Sequence, residues 1–148
     1  MTLEQLKLLL DEGGYTLVIF DHEDHLRTFN NQGVADLYNL LTNEPGVLKG
    51  AIVADKVVGK GAASLMIVGG IAELHTKVIS EQAIKLLDLS GIRYSYDEKT
   101  DHIENRQKDG WCPVETLCKE VPTAGQCVPL IANFIESMKT KTICNTQN

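Results

Sequence analysis

The chain is poor in the features that would mark a membrane protein, a nucleic-acid binder or a disulfide-stapled domain. No apolar run approaches the roughly 18 residues of a membrane span. The N-terminal stretch "MTLEQLKLLLDEGG" has neither a basic n-region nor a small-residue cleavage site, so no signal peptide is expected and the expected location is cytoplasmic. Cysteine is missing from the first 111 positions. All four thiols, Cys112, Cys118, Cys127 and Cys144, fall in the last quarter, and in a cytosolic setting they are expected to be reduced. No Lys/Arg cluster offsets the 20 acidic against 14 basic side chains, a net charge of −6. General attraction to phosphate backbones is therefore excluded, and only a local basic pocket could hold an anion. Repeats and low-complexity segments are absent too.

What is present fits one compact unit. A length of 148 residues with 43% hydrophobic content suits a single core, expected over residues 1–140 with 141–148 as a flexible tail. Thr2 and Gln5 form a capping-box pattern, and Leu3, Leu6, Leu9 and Leu10 recur at helical spacing before Gly13-Gly14. "YTLVIF" and "HLRTFN" around "DHED" read as an antiparallel hairpin. Val34, Leu37, Tyr38 and Leu41 mark a second helix, closed by a "TNEPG" loop. From residue 48 the pattern becomes strand-helix-strand-helix-strand: "LKGAIVA", "GAASLMIVGG", "IAELHTKVIS", "EQAIKLLDLSG" and "IRYSY". Short connections and nearly continuous apolar strands predict parallel pairing with right-handed crossovers, the hairpin extending one end of a mixed sheet. The expected fold class is α/β, a three-layer α/β/α sandwich. "DEKTDHIENRQKDGW" reads as a long connection, Cys112-Pro113 as the start of a helix, and "LIANFIESM" as a terminal helix preceded by Pro129.

Five segments in this order, "ADKVVGKGAA", "KVISEQAIKLL", the strand start Gly91-Ile92, "IENR" and "CPVE", make residues 15 to 138 resemble a bacterial and archaeal family called domain of unknown function 1893. The resemblance implies a cytidine-deaminase-like fold and brings no established reaction. A zinc deaminase needs His or Cys followed by a Glu acid/base at one helix start, and Pro-Cys-x-x-Cys at the next. The corresponding starts here are Lys60-Gly61-Ala62 and Ser80-Glu81-Gln82-Ala83. Neither offers a metal-ligand triad, and a lysine would repel zinc. No metal and no cofactor is expected, and hydrolytic deamination by the usual route is disfavoured.

The candidate site residues are weighed on their chemistry. Gly59-Lys60-Gly61 is not a P-loop. Glycines at a strand-to-helix turn nevertheless let a ligand approach the backbone, the helix N-terminus attracts anions, and Lys60 supplies a positive charge. The alternative is a solvated lysine beside Asp55. Ser80 is placed to cap its helix, with or without a share in a pocket, and Glu81 suits the helix dipole in either case. Asn105 and Arg106 could read a polar edge and grip an anionic group, or could clip the long loop to the domain. Cys112, at a helix N-terminus, is a candidate nucleophile, with Glu115 as a partner in proton transfer, though no histidine adjoins it. His75, inside a strand pattern, reads as a hydrogen-bonded buried histidine. Trp111 reads as a pocket lid or as an anchor for the following helix. The leading expectation is a small-molecule-binding protein, an enzyme if Lys60, Cys112 and Glu115 are catalytic, with a small polar or anionic, nucleotide-like ligand held by Asp55, Gly59, Gly61, Ser80, Glu81, Asn105 and Arg106. The alternative is a non-catalytic regulatory or assembly module whose old site is filled by side chains. A zinc hydrolase using Cys112 and Cys118 ranks third. In each case a homo-oligomer is expected.

Overall fold

The computed structural model describes the chain except for Gln32, Arg106 and Asn148 and the side chains of residues 140–147. Helix α1 (Leu3–Glu12) starts at the predicted capping box: the Gln5 N–H donates to Thr2 Oγ1 at 3.2 Å, and the Thr2 N–H donates to Gln5 Oε1 at 2.8 Å. Strands β1 (Leu17–Phe20) and β2 (Leu26–Phe29) form the hairpin. Helices α2 (Ala35–Asn43) and α3 (Pro45–Leu48) follow. The "TNEPG" stretch expected as a loop thus contains a short helix, because Pro45 has φ preset for a first helical position and needs no N–H there.

The alternating segment is β3 (Ile52–Val58), α4 (Lys60–Gly69), β4 (Glu73–Ser80), α5 (Glu81–Ser90) and β5 (Arg93–Thr100). Strand order is β2-β1-β3-β4-β5, with β1 antiparallel to β2 and β3, and β3, β4 and β5 mutually parallel. The mixed five-stranded sheet is as expected; its strand limits are not. β3 starts later than "LKGAIVA" and runs on through Asp55 and Lys56, since ladder bonding to β1 and β4 carries these polar residues. β5 likewise takes in Asp97–Thr100, which composition assigns to the long connection.

Helix α6 (Pro113–Cys118) starts where Cys112-Pro113 predicts. α7 (Ala124–Gln147) begins before Pro129, which lies inside it. Thr123 starts that helix by accepting from the Gln126 N–H at 3.2 Å.

Side-chain alternation divides the sheet into two faces. Val18 and Ala54 pack on Leu6 and Leu10 of α1. Leu17, Ile19, Val53 and Leu74 point the other way, into the larger core with Leu37, Leu65, Met66, Leu87, Cys118 and Ile131 from the remaining helices. Among the described residues no helix is long and apolar enough to cross a membrane.

Candidate functional site

The parallel strands β3 and β4 deliver two strand-to-helix turns side by side. Their registers are equivalent: Asp55 pairs with Thr76, so Gly59 and Ser80 each stand four residues further on. At the second turn Ser80, fully buried, caps α5 by accepting from the Ala83 N–H at 3.2 Å. At the first turn Gly59 has no side chain to cap with, and the cap arrives from elsewhere: Glu115 Oε2, on α6, accepts the Lys60 N–H at 2.8 Å. A carboxylate at a helix N-terminus is favoured by the exposed N–H groups and the dipole. Glu115 is 1% exposed, and its Oε1 has no hydrogen-bond partner among the described residues.

The glycines of this turn make room for α6. A Cβ on Gly59 would overlap Glu115 Oε2 and Ile103 Cγ1, and one on Gly61 would overlap Val114 Cγ1. Gly59 has φ −97° and ψ −174°, extended backbone open to any residue, so space and not conformation requires glycine there. Lys60 is 8% exposed. Its ammonium donates to the carbonyls of Val121 at 2.5 Å and Lys119 at 3.4 Å, just past the C-terminal end of α6, where a cation is favoured. Lys60 is thus neither solvated nor paired with Asp55.

The other singled-out residues are distributed around this junction. Cys112 is the half-buried N-cap residue of α6, its N–H donating to the Ile103 carbonyl at 2.7 Å. Asn105 closes its own loop: Nδ2 donates to Asp109 Oδ1 at 2.8 Å, and Oδ1 accepts the Asp109 N–H at 3.2 Å. Trp111 pairs across a β-bridge with Glu104, stacks on His102 with ring centroids 4.6 Å apart, and lies under the Lys119 ammonium, again at 4.6 Å. This is the anchoring arrangement. Glu81 lies 3.9 Å from the Lys99 ammonium. Asp55 is buried in the sheet; burial pushes its carboxyl up to about 7, against the lowering effect of the Val57 and Lys56 N–H groups. Arg106 lies outside the described residues.

Thiol chemistry is not favoured beneath α6. Cys118 is fully buried, and burial first, then the neighbouring Cys127, pushes its thiol up to about 12, so the thiolate that a nucleophile or metal ligand needs is scarce at neutral pH. Among the described residues no group of three His, Cys, Asp or Glu side chains converges to hold a metal ion. Two open depressions, of about 330 Å³ beside Asp21, His25 and Arg27 and about 440 Å³ beside Glu73, Gly91 and Arg93, lie away from the Lys60 and Ser80 turns. Residue chemistry did not single out Gln82, whose amide is buried at the second turn without a partner among the described residues, because a glutamine in a first helical turn carries no distinguishing signal.

A five-stranded mixed-sheet α/β protein with one strand-to-helix turn closed by a later helix is the class these features define. A family profile described as domain of unknown function (DUF1893) matches residues 5–135, and the chain belongs to that family. A solved structure similar to it is that of a DUF1893 family protein from Thermotoga maritima, with TM-score 0.81, 26% identity and 88% of each chain covered. A search of the curated proteins finds no match.

Proposed function

We propose that this chain is a non-catalytic regulatory or assembly module on a three-layer, cytidine-deaminase-like scaffold, in which the strand-to-helix turn that could receive a ligand is filled by the protein's own α6. The observation that carries the reading is Glu115: its carboxylate already sits on the first N–H of α4, in the volume that the missing side chain of Gly59 leaves free. Apolar clusters on both faces of the sheet support the three-layer arrangement. The module is one domain over residues 1–140, works in the cytoplasm and assembles as a homo-oligomer.

Native mass spectrometry of protein purified without chelators tests this. The expected result is a multiple of the chain mass, with no retained metabolite and no stoichiometric metal. Inorganic phosphate and nucleoside monophosphates added at millimolar concentration should leave the melting temperature unchanged. A bound anionic metabolite lost on Lys60→Ala would restore the small-molecule-binding reading, and stoichiometric zinc would overturn both.

A further inference from the structure

The opposite face of the sheet carries a second group of residues, independent of the Lys60 turn. His75 on β4 pairs in register with Ser95 on β5, and Asp97 follows two residues along, on the same face as Ser95. His75 Nδ1 lies 2.8 Å from Ser95 Oγ, and Nε2 lies 3.3 Å from Asp97 Oδ1. The ring is 3% exposed, whereas Ser95 and Asp97 are open to solvent on the edge strand.

The donor and acceptor inventory fixes the proton. A carboxylate only accepts, so the Asp97 contact places the hydrogen on Nε2; in the neutral ring Nδ1 then accepts, and Ser95 O–H donates to it. Burial first, and the Lys7 ammonium of α1 second, lower the His75 pKa, while Asp97 of β5 and Glu4 of α1 raise it. The net lowering keeps the ring neutral at physiological pH, with Nδ1 unprotonated and able to accept a proton. A hydroxyl held on a neutral imidazole whose other nitrogen faces a carboxylate is the arrangement of an activated serine nucleophile; here the two ring nitrogens exchange the roles they have in the serine-protease triad.

We propose that Ser95 is a base-activated acyl acceptor, a covalent modification site that takes an acyl group from a small activated donor such as an ester or acyl phosphate. Ser95 Oγ attacks the carbonyl carbon and forms the new C–O bond. His75 Nδ1 takes the hydroxyl proton, the bond from carbon to the leaving group breaks, and the proton passes from Nδ1 to that leaving group. The products are acyl-Ser95 and the protonated leaving group, with no change in oxidation state. Asp97 is a positioning residue, acting through the imidazole. An acceptor that is modified once, without turnover, suits a regulatory module.

The test uses the full chain, p-nitrophenyl acetate and a fluorophosphonate probe, with adducts located by peptide mass spectrometry. One adduct on Ser95 is expected. It should be absent in Ser95→Ala and form about tenfold or more slowly in Asp97→Asn, a solvent-exposed change that leaves the core intact. The acylation rate should rise with pH through a single ionisation below the ordinary histidine range. His75→Gln, checked for folding by circular dichroism, should abolish that step. Label spread over several serines, no adduct at Ser95, or labelling of Ser95 indifferent to Asp97→Asn and to pH would overturn the proposal.

Discussion

Two neighbouring turns of the same sheet solve the same problem by different means. β3 and β4 each end at a helix whose first N–H groups need partners. Ser80 meets that need from within its own turn, whereas at the Gly59 turn the Lys60 N–H is met by a carboxylate 55 residues further along the chain. The first solution is local and survives whatever the rest of the chain does. The second makes the start of α4 depend on α6 being docked, and makes α6 depend on Gly59 and Gly61 remaining small. The strands leading into the turns differ in the same way, since the position filled by the buried hydroxyl of Thr76 in β4 is filled by the buried carboxyl of Asp55 in β3.

The largest effect expected from breaking this comparison comes from Asp55. Its folded-state pKa, about 7, lies above the ordinary 3.8, so the protonated form is favoured by folding. That contribution is complete below about pH 4 and is lost as pH rises through about 7. Asp55→Asn should remove this slope and leave the protein more stable than wild type at pH 8, by roughly 3–4 kcal/mol. Urea denaturation at pH 5 and pH 8 checks it; a wild-type stability that does not fall between these values would refute the assignment.

Next in size is Glu115→Ala, which strips the cap from α4 and leaves a cavity under α6. A loss of about 3 kcal/mol is expected, read as a lowered melting temperature. In that background Gly59→Ser is freed of Glu115 and needs only the end of the Ile103 side chain to shift, and it should recover up to about 1 kcal/mol by capping α4 as Ser80 caps α5. In the wild-type background the same substitution meets Glu115 and Ile103 and should destabilise. The smallest effect is Ser80→Ala, about 1 kcal/mol. If Ser80→Ala cost more than Glu115→Ala, the local cap would be the more important of the two.

The same contrast explains what could be read from the chain. The Thr2-Gln5 box, the Ser80 cap and the strand-helix alternation are local patterns, and they place α1, α5 and the parallel core of the sheet correctly. β3 is misplaced because the Asp55-Lys56 pair looks like a turn to anything that sees only neighbours; ladder bonds to two flanking strands override it. Pro129 looks like a helix boundary, yet α7 starts five residues earlier from Thr123, since tertiary packing of Cys127 and Ile131 holds the helix through the missing N–H. Residue chemistry singles out Gly59, Lys60 and Gly61 at one turn and, separately, Glu115 beside Cys112 at another helix start. That they meet one another, across the interval from β3 to α6, is a property of the fold, and no spacing rule announces it. His75 likewise reads as an ordinary buried histidine until β5 brings Ser95 and Asp97 against it.

Lys60 engages α6 twice, receiving Glu115 at its backbone N–H and sending its ammonium to the carbonyls just beyond the other end of that helix. A short helix gripped at both ends by one residue has no cheap way to fray from either end. It must leave as a piece, taking the first turn of α4 with it, so the amide protons of Lys60 and of the α6 backbone should exchange with solvent at one common rate, as a single cooperative opening unit.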